Sequence, residues 1–186
     1  MKFRPVRTSA PAELPLTVDE CKRHAVVEFD EQDAVVSAAI ASVVADLDGF
    51  AGLLGRAIIT QTWELALPCW QRSFVLPVPD VASASISYLD VDGATQDGPA
   101  VTLHAVDAGT LVSISKDWIA PTLFDDSPAP VLVSFVCGYG SAADVPDDLK
   151  LAMMQRVAQA FDDREGEGRP GAFADRLIAK HRWLNV

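Results

Sequence analysis

"GRAIITQTWELALPCW", residues 55–70, decides how this chain is read, because the spacing of its apolar residues changes within that stretch. Upstream, "FDEQDAVVSAAIASVVADLDGFAGLLG" (29–55) places Val36, Ile40, Val43, Leu47, Phe50 and Leu54 three and four residues apart, the stripe of an amphipathic helix. Asp30 or a neighbouring acid is the expected cap and Gly55 the expected stop, so a helix is predicted over 31–54. From Ile58 the period shifts to two, with Thr60, Thr62, Trp63 and Leu65 in strand vocabulary. Expected strands are Ile58–Leu67, Ser73–Leu76, Ser83–Leu89, Val101–Ala105, Thr110–Ser115 and Val131–Val136. Asp92-Gly93 and, more weakly, Ala108-Gly109 mark hairpin turns, and Pro77, Pro79, Pro99, Pro121, Pro128 and Pro130 punctuate the rest. Connections this short cannot carry parallel crossovers, so the sheet is expected to be antiparallel.

Helices are expected on both sides of this β region. Thr17 and Glu20 form a Thr-x-x-Glu capping box that opens a short helix, 17–25. After "CGYGSAADVPDD" (137–148), Pro146 and the acids Asp147 and Asp148 suit the start of a helix over 146–163 striped by Leu149, Met153, Val157, Ala160 and Phe161. "DDREGEGRPG" (162–171) reads as a hinge, and Ala172–Leu184 as a short helix with Phe173, Leu177 and Leu184 on one side, marginal unless it docks on a surface. Residues 1–16, with Pro5, Pro11 and Pro15, read as an extended basic arm. The expected fold is α+β: an antiparallel β insertion (58–137) in a small helix bundle (17–165), followed by a hinge and helical tail (166–186).

Composition narrows the function. With 49% hydrophobic and 22% charged residues in 186, the chain is expected to fold as one globular domain. No apolar run approaches the roughly 20 residues of a membrane span, and no secretory leader is evident, so a cytoplasmic site of synthesis is expected. Three widely spaced cysteines, Cys21, Cys69 and Cys137, fit neither a disulfide framework nor a zinc site and are expected to be reduced. The net charge of -11 is uneven: Lys2, Arg4 and Arg7 at one end, and Arg169, Arg176, Lys180 and Arg182 against Asp175 at the other, leave an acidic body. Such a body repels phosphates and argues against a protein that grips duplex DNA.

Candidate chemistry is sparse. The pairs Asp90/Asp92, Asp125/Asp126 and Asp162/Asp163 could serve a Mg²⁺-dependent hydrolase, but Asp at a turn has the plainer role of local hydrogen bonding. His24, His104 and His181 have no Cys or acid at ligand spacing. "CGYG" (137–140) lacks a nucleophile signature, and "GEGRPG" (166–171) lacks the Lys-Ser/Thr of a phosphate loop. No catalytic, cofactor or metal residue is assigned. Of the tryptophans, Trp63 is expected in a core, whereas Trp183, in a short basic tail, is an interface candidate.

The order of "LTVDECKRHAVVE" (16–28), the acidic-start helix, "GRAIITQTWEL" (55–65), "LPVPDVASASISYLDVDGATQ" (76–96) and "VLVSFVCGYGSAADVPDDLKLAMMQRVAQAFDDRE" (131–165) resembles the head-tail connector (adaptor) proteins of long-tailed bacteriophages and of phage-derived gene transfer particles. The most specific pieces are "GRAIITQTWEL" and "GYGSAADVPDDLK" (138–150). The resemblance implies a structural protein of the particle neck, not an enzyme. It would form a ring of copies of itself, usually about twelve, between the portal and a stopper or tail protein, with DNA passing through the channel and no cofactor or membrane involved. It also implies that the C-terminal segment docks on the portal; by amphipathicity and position, Phe173, Arg176, Leu177, Lys180, Arg182, Trp183 and Leu184 are the expected contact residues. A transient assembly factor and a metal-dependent hydrolase are the alternatives.

Overall fold

The structure is a computed structural model that describes residues 4–25, 32–162 and 171–183. The expected Asp30 cap, most of the 162–171 hinge and Leu184 lie outside those residues. The chain is mixed α+β, with four helices and two antiparallel sheets among the described residues. It divides into two compact units: a β unit of residues up to Ala10 together with Thr60–Gly138, and a helical unit of Pro11–Ile59 and Tyr139–Leu184.

The β unit holds strands β1 (Val6–Ser9), β2 (Gln61–Leu67), β3 (Ser73–Leu76), β4 (Val81–Leu89), β5 (Thr95–Asp97), β6 (Val101–Val106), β7 (Gly109–Ile114) and β8 (Val131–Cys137). One sheet runs β1-β2-β8-β4-β5 and the other β3-β7-β6. The β2–β8 register pairs Gln61 with Cys137 and Leu67 with Val131. Both strands alternate buried and half-buried residues, so Trp63, Leu65, Leu67, Val131, Val133 and Phe135 line one face. The Asp92-Gly93 turn joins β4 to β5 with Gly93 at φ 77°. Asp90 shapes that turn: Oδ1 accepts the N–H groups of Asp92 and Ala94, and Oδ2 accepts from Gln96.

The helical unit holds α1 (Val18–Ala25), α2 (Asp33–Leu47), α3 (Asp147–Asp162) and α4 (Ala172–His181). Its core joins Leu16 and Cys21 to Val36, Ile40, Val43 and Leu47 of α2, to Leu149, Ala152, Met153 and Val157 of α3, and to Ala174, Leu177 and Ile178 of α4. Thr17 and Glu20 form the expected capping box: the Thr17 N–H reaches Glu20 Oε2 at 2.8 Å and the Glu20 N–H reaches Thr17 Oγ1 at 3.2 Å. A second box, Ser141 with Asp144, opens the 3-10 turn Ala142–Asp144 ahead of α3.

Several boundaries differ from the sequence expectation by more than a residue or two, or in kind. The helix predicted over 31–54 ends at Leu47, because Asp48 turns extended and gives its carboxylate to the Ile58 N–H (2.8 Å), and Gly49 takes φ 83°. Leu54 is still buried, carried by a series of turns in which its N–H bonds the Leu47 carbonyl. The strand predicted from Ile58 begins at Gln61, since Ile58 and Ile59 pack in the helical core. The 1–16 arm is not free throughout: Val6–Ser9 forms the edge strand β1 on β2, and Leu16 is buried among the helices. The last helix stops at His181, three residues before the expected Leu184. β5, three exposed residues, was too short to give a period.

Candidate functional site

The residues predicted to contact a partner lie on or just after α4. This helix begins after Gly171, and its buried positions Ala174, Leu177 and Ile178 recur at helical spacing. They pack into the helical core of their own chain. Leu177, expected to anchor in another molecule, is 6% exposed and finds its burial place within its own unit. Phe173, one turn before Leu177 at the edge of that face, is 44% exposed, with the Arg176 guanidinium 5.4 Å from its ring. Arg176, Lys180 and Arg182 are exposed, and Trp183 is half-buried. The structure therefore brings Phe173, Arg176 and Lys180 onto one exposed stripe of the helix, with Leu177 buried beside it.

Polar groups tie α4 down at both ends. Arg156 of α3 bonds Asp46 of α2 at 2.8 Å and Asp175 of α4 at 3.0 Å. At the C-terminal end, His181 Nε2 lies 2.7 Å from Asp148 Oδ1, and Nδ1 lies 3.2 Å from the Tyr139 hydroxyl. A carboxylate only accepts, so the Nε2 proton points to Asp148; the neutral ring then accepts from Tyr139, and the charged ring donates to it. Burial works against the Asp148 charge, but the hydrogen bond and charge of His181, with Lys180 at 3.7 Å, outweigh it and hold Asp148 below the ordinary carboxylate range. Burial pushes the Tyr139 hydroxyl up, against the opposing pull of Arg56, whose guanidinium sits 4.1 Å over the ring. Beyond the helix, the Trp183 backbone N–H donates to the Leu54 carbonyl at 2.7 Å, and the Trp183 carbonyl oxygen would lie only 2.5 Å from a Cβ on Gly55. Gly55, at φ 65°, is thus the turn on which the tail closes rather than the end of α2.

Sequence reasoning missed the Tyr139–His181–Asp148 chain. The three residues are separated by up to 42 positions, and no local pattern links them. The arrangement orients a histidine between a carboxylate and a phenol, yet burial opposes ionising that phenol, so its chemistry is that of a fastening and not of an activated nucleophile. Cys21 is likewise buried, its thiol pushed up to about 11. Among the described residues, no three His, Cys, Asp or Glu side chains gather as a metal ion would require, and no helix is long and apolar enough to cross a membrane.

No protein-family model matches the chain, and no curated protein matches it in sequence. Solved structures do share its fold. A chain from the neck of an empty GTA particle computed with C6 symmetry has a TM-score of 0.73 at 23% identity, covering 99% of this chain and 97% of that one. A chain from the virion of a native gene transfer agent (GTA) particle has a TM-score of 0.71 at 22% identity, covering 99% and 97%. One from the neck of a native GTA particle computed with C12 symmetry gives 0.68 at 22% identity, covering 100% and 97%. At these identities the likeness is one of fold, and it spans both units.

Proposed function

We propose that this chain is a structural component of a particle neck: a head-tail connector (adaptor) subunit that forms a ring between the portal and the stopper or tail of a phage or gene transfer particle. The observation that carries this reading is the extent of the fold match, 99% of this chain against 97% of a neck chain, so the whole architecture is shared and not one common module. Similar necks have rotational symmetry, and copies related by rotation meet through two different faces that close into a ring. The body's negative charge gives a channel wall that repels DNA phosphates and lets a duplex slide. In this reading the portal meets the outer side of α4, where Phe173 offers an aromatic anchor ringed by Arg176, Lys180 and Arg182.

Quantitative mass spectrometry of purified particles tests the assignment. One ring's worth of chain per particle is expected; a chain needed for assembly but absent from finished particles overturns the adaptor role in favour of a transient factor. Portal docking is tested by Phe173→Asp, which leaves the α4 seat intact. Portal capture should fall by about tenfold or more, and unchanged capture removes α4 from that contact.

A further inference from the structure

We propose that neighbouring copies meet through opposite ends of the three-stranded sheet, the β6–β7 hairpin tip of one copy seating against an aromatic pocket at the far end of β7 in the next. This rests on the ring reading above and adds to it the contact that closes the ring.

The pocket is lined by Trp70, Gln71, Arg72, Ile114, Trp118 and Ala120 and has a volume of about 210 Å³, room for one aliphatic side chain. Its walls are preorganised. The Trp70 indole N–H donates to the Pro121 carbonyl at 3.0 Å, and its ring meets Trp118 edge-on at 4.6 Å and Tyr88 at 5.2 Å. Arg72 donates to the carbonyls of Ser115, Lys116 and Trp118 at 3.1, 3.0 and 3.5 Å. The loop so braced holds Ile119 87% exposed, an apolar side chain displayed in water by four side-chain hydrogen bonds on either side of it. Rigid display of this kind lowers the ordering cost of an interface anchor. Arg72 and Lys116 outnumber Asp117 here, a locally positive site on a chain of net charge -11.

The other end of the sheet has the complementary chemistry. Ala105, Val106, Asp107 and Ala108 are all exposed, so the hairpin tip presents a 36% exposed valine beside a carboxylate. This tip is also held firmly: Thr110 Oγ1 donates to the buried Val78 carbonyl at 3.0 Å, and Gly109, at φ 135°, leaves no room for a Cβ against the Leu76 carbonyl. β7 runs from Gly109 at the tip to Ile114 in the pocket wall, a separation of about 17 Å. Two unlike, complementary patches at opposite ends of one rigid sheet are what a head-to-tail contact needs. Val106 fills the pocket, Ile119 packs beside it, and Asp107 faces Lys116 and Arg72.

The test is a full-length chain carrying Cys69→Ser, Val106→Cys and Ile119→Cys, mildly oxidised and run on a non-reducing gel, beside light scattering of the unaltered chain. A head-to-tail contact gives a ladder of covalent multimers, while each single-cysteine variant, which has no second thiol across the contact, gives no ladder. In parallel, Asp107→Lys should raise the concentration needed for oligomers by about tenfold, and Lys116→Glu in the same chain should restore it. Oligomers without a ladder or charge rescue overturn this contact and leave the ring reading standing. A chain that stays monomeric at every concentration, with no ladder, overturns this contact as the means of self-assembly, while the particle stoichiometry measurement still judges the neck assignment.

Discussion

Asp148 shows how single residues make the fold conditional on pH. Its carboxylate caps the dipole at the start of α3 and receives His181 from α4, so ionisation favours the folded chain. A carboxylate held below its ordinary range contributes stability above its unfolded pKa, and that contribution is lost as pH falls through the folded value. Glu20 and Asp144, both held low first by hydrogen bonds from Thr17 and Ser141, act in the same direction. Urea midpoints should therefore decline as pH drops below about 4–5. Asp148→Asn should flatten that decline; an unchanged profile would remove Asp148 from the linkage. Sequence alone identified Glu20 as a cap because the box is local, and placed Asp148 at the start of α3, but could not have paired Asp148 with His181, 33 residues away.

At the scale of an element, α4 has two faces with separate duties. The inner face, Ala174, Leu177 and Ile178, belongs to the core, and the exposed stripe that flanks it carries Phe173, Arg176 and Lys180. Leu177→Ala should cost about 2–4 kcal/mol in denaturant unfolding, whereas Phe173→Ala should change stability by less than about 0.5 kcal/mol. Equal effects would mean that the two faces are not distinct. The apolar residues of a ten-residue helix were legible as a stripe, but the molecule that covers them was not. Leu177 could equally have served a partner, and only the packing of α4 on α3 assigns it. The helix α2 illustrates the converse: its stripe continued in register to Leu54, while the helix itself stopped at Leu47 when the Asp48 carboxylate found the Ile58 N–H.

At the scale of the whole molecule, charge is the dominant property. A net charge of -11 makes counterion release on duplex DNA unfavourable, and the neck reading needs the DNA to move. Fluorescence anisotropy with a labelled duplex at about 0.15 M salt should show no saturable binding by the chain; micromolar affinity would be incompatible with a passive channel wall.

Charge distribution, the α+β class, the antiparallel sheet and the capping box at Thr17 are written in the sequence, because each depends on composition, on a period of two or 3.6, or on residues within one turn of each other. The pairing of Val6–Ser9 with β2, the fastening of His181 between Asp148 and Tyr139, and the pocket at the other end of β7 from the hairpin tip were decided only by the tertiary structure. Those features join residues distant in the chain, and the free energy that selects them comes from burial and hydrogen bonds that exist only once the chain has closed on itself.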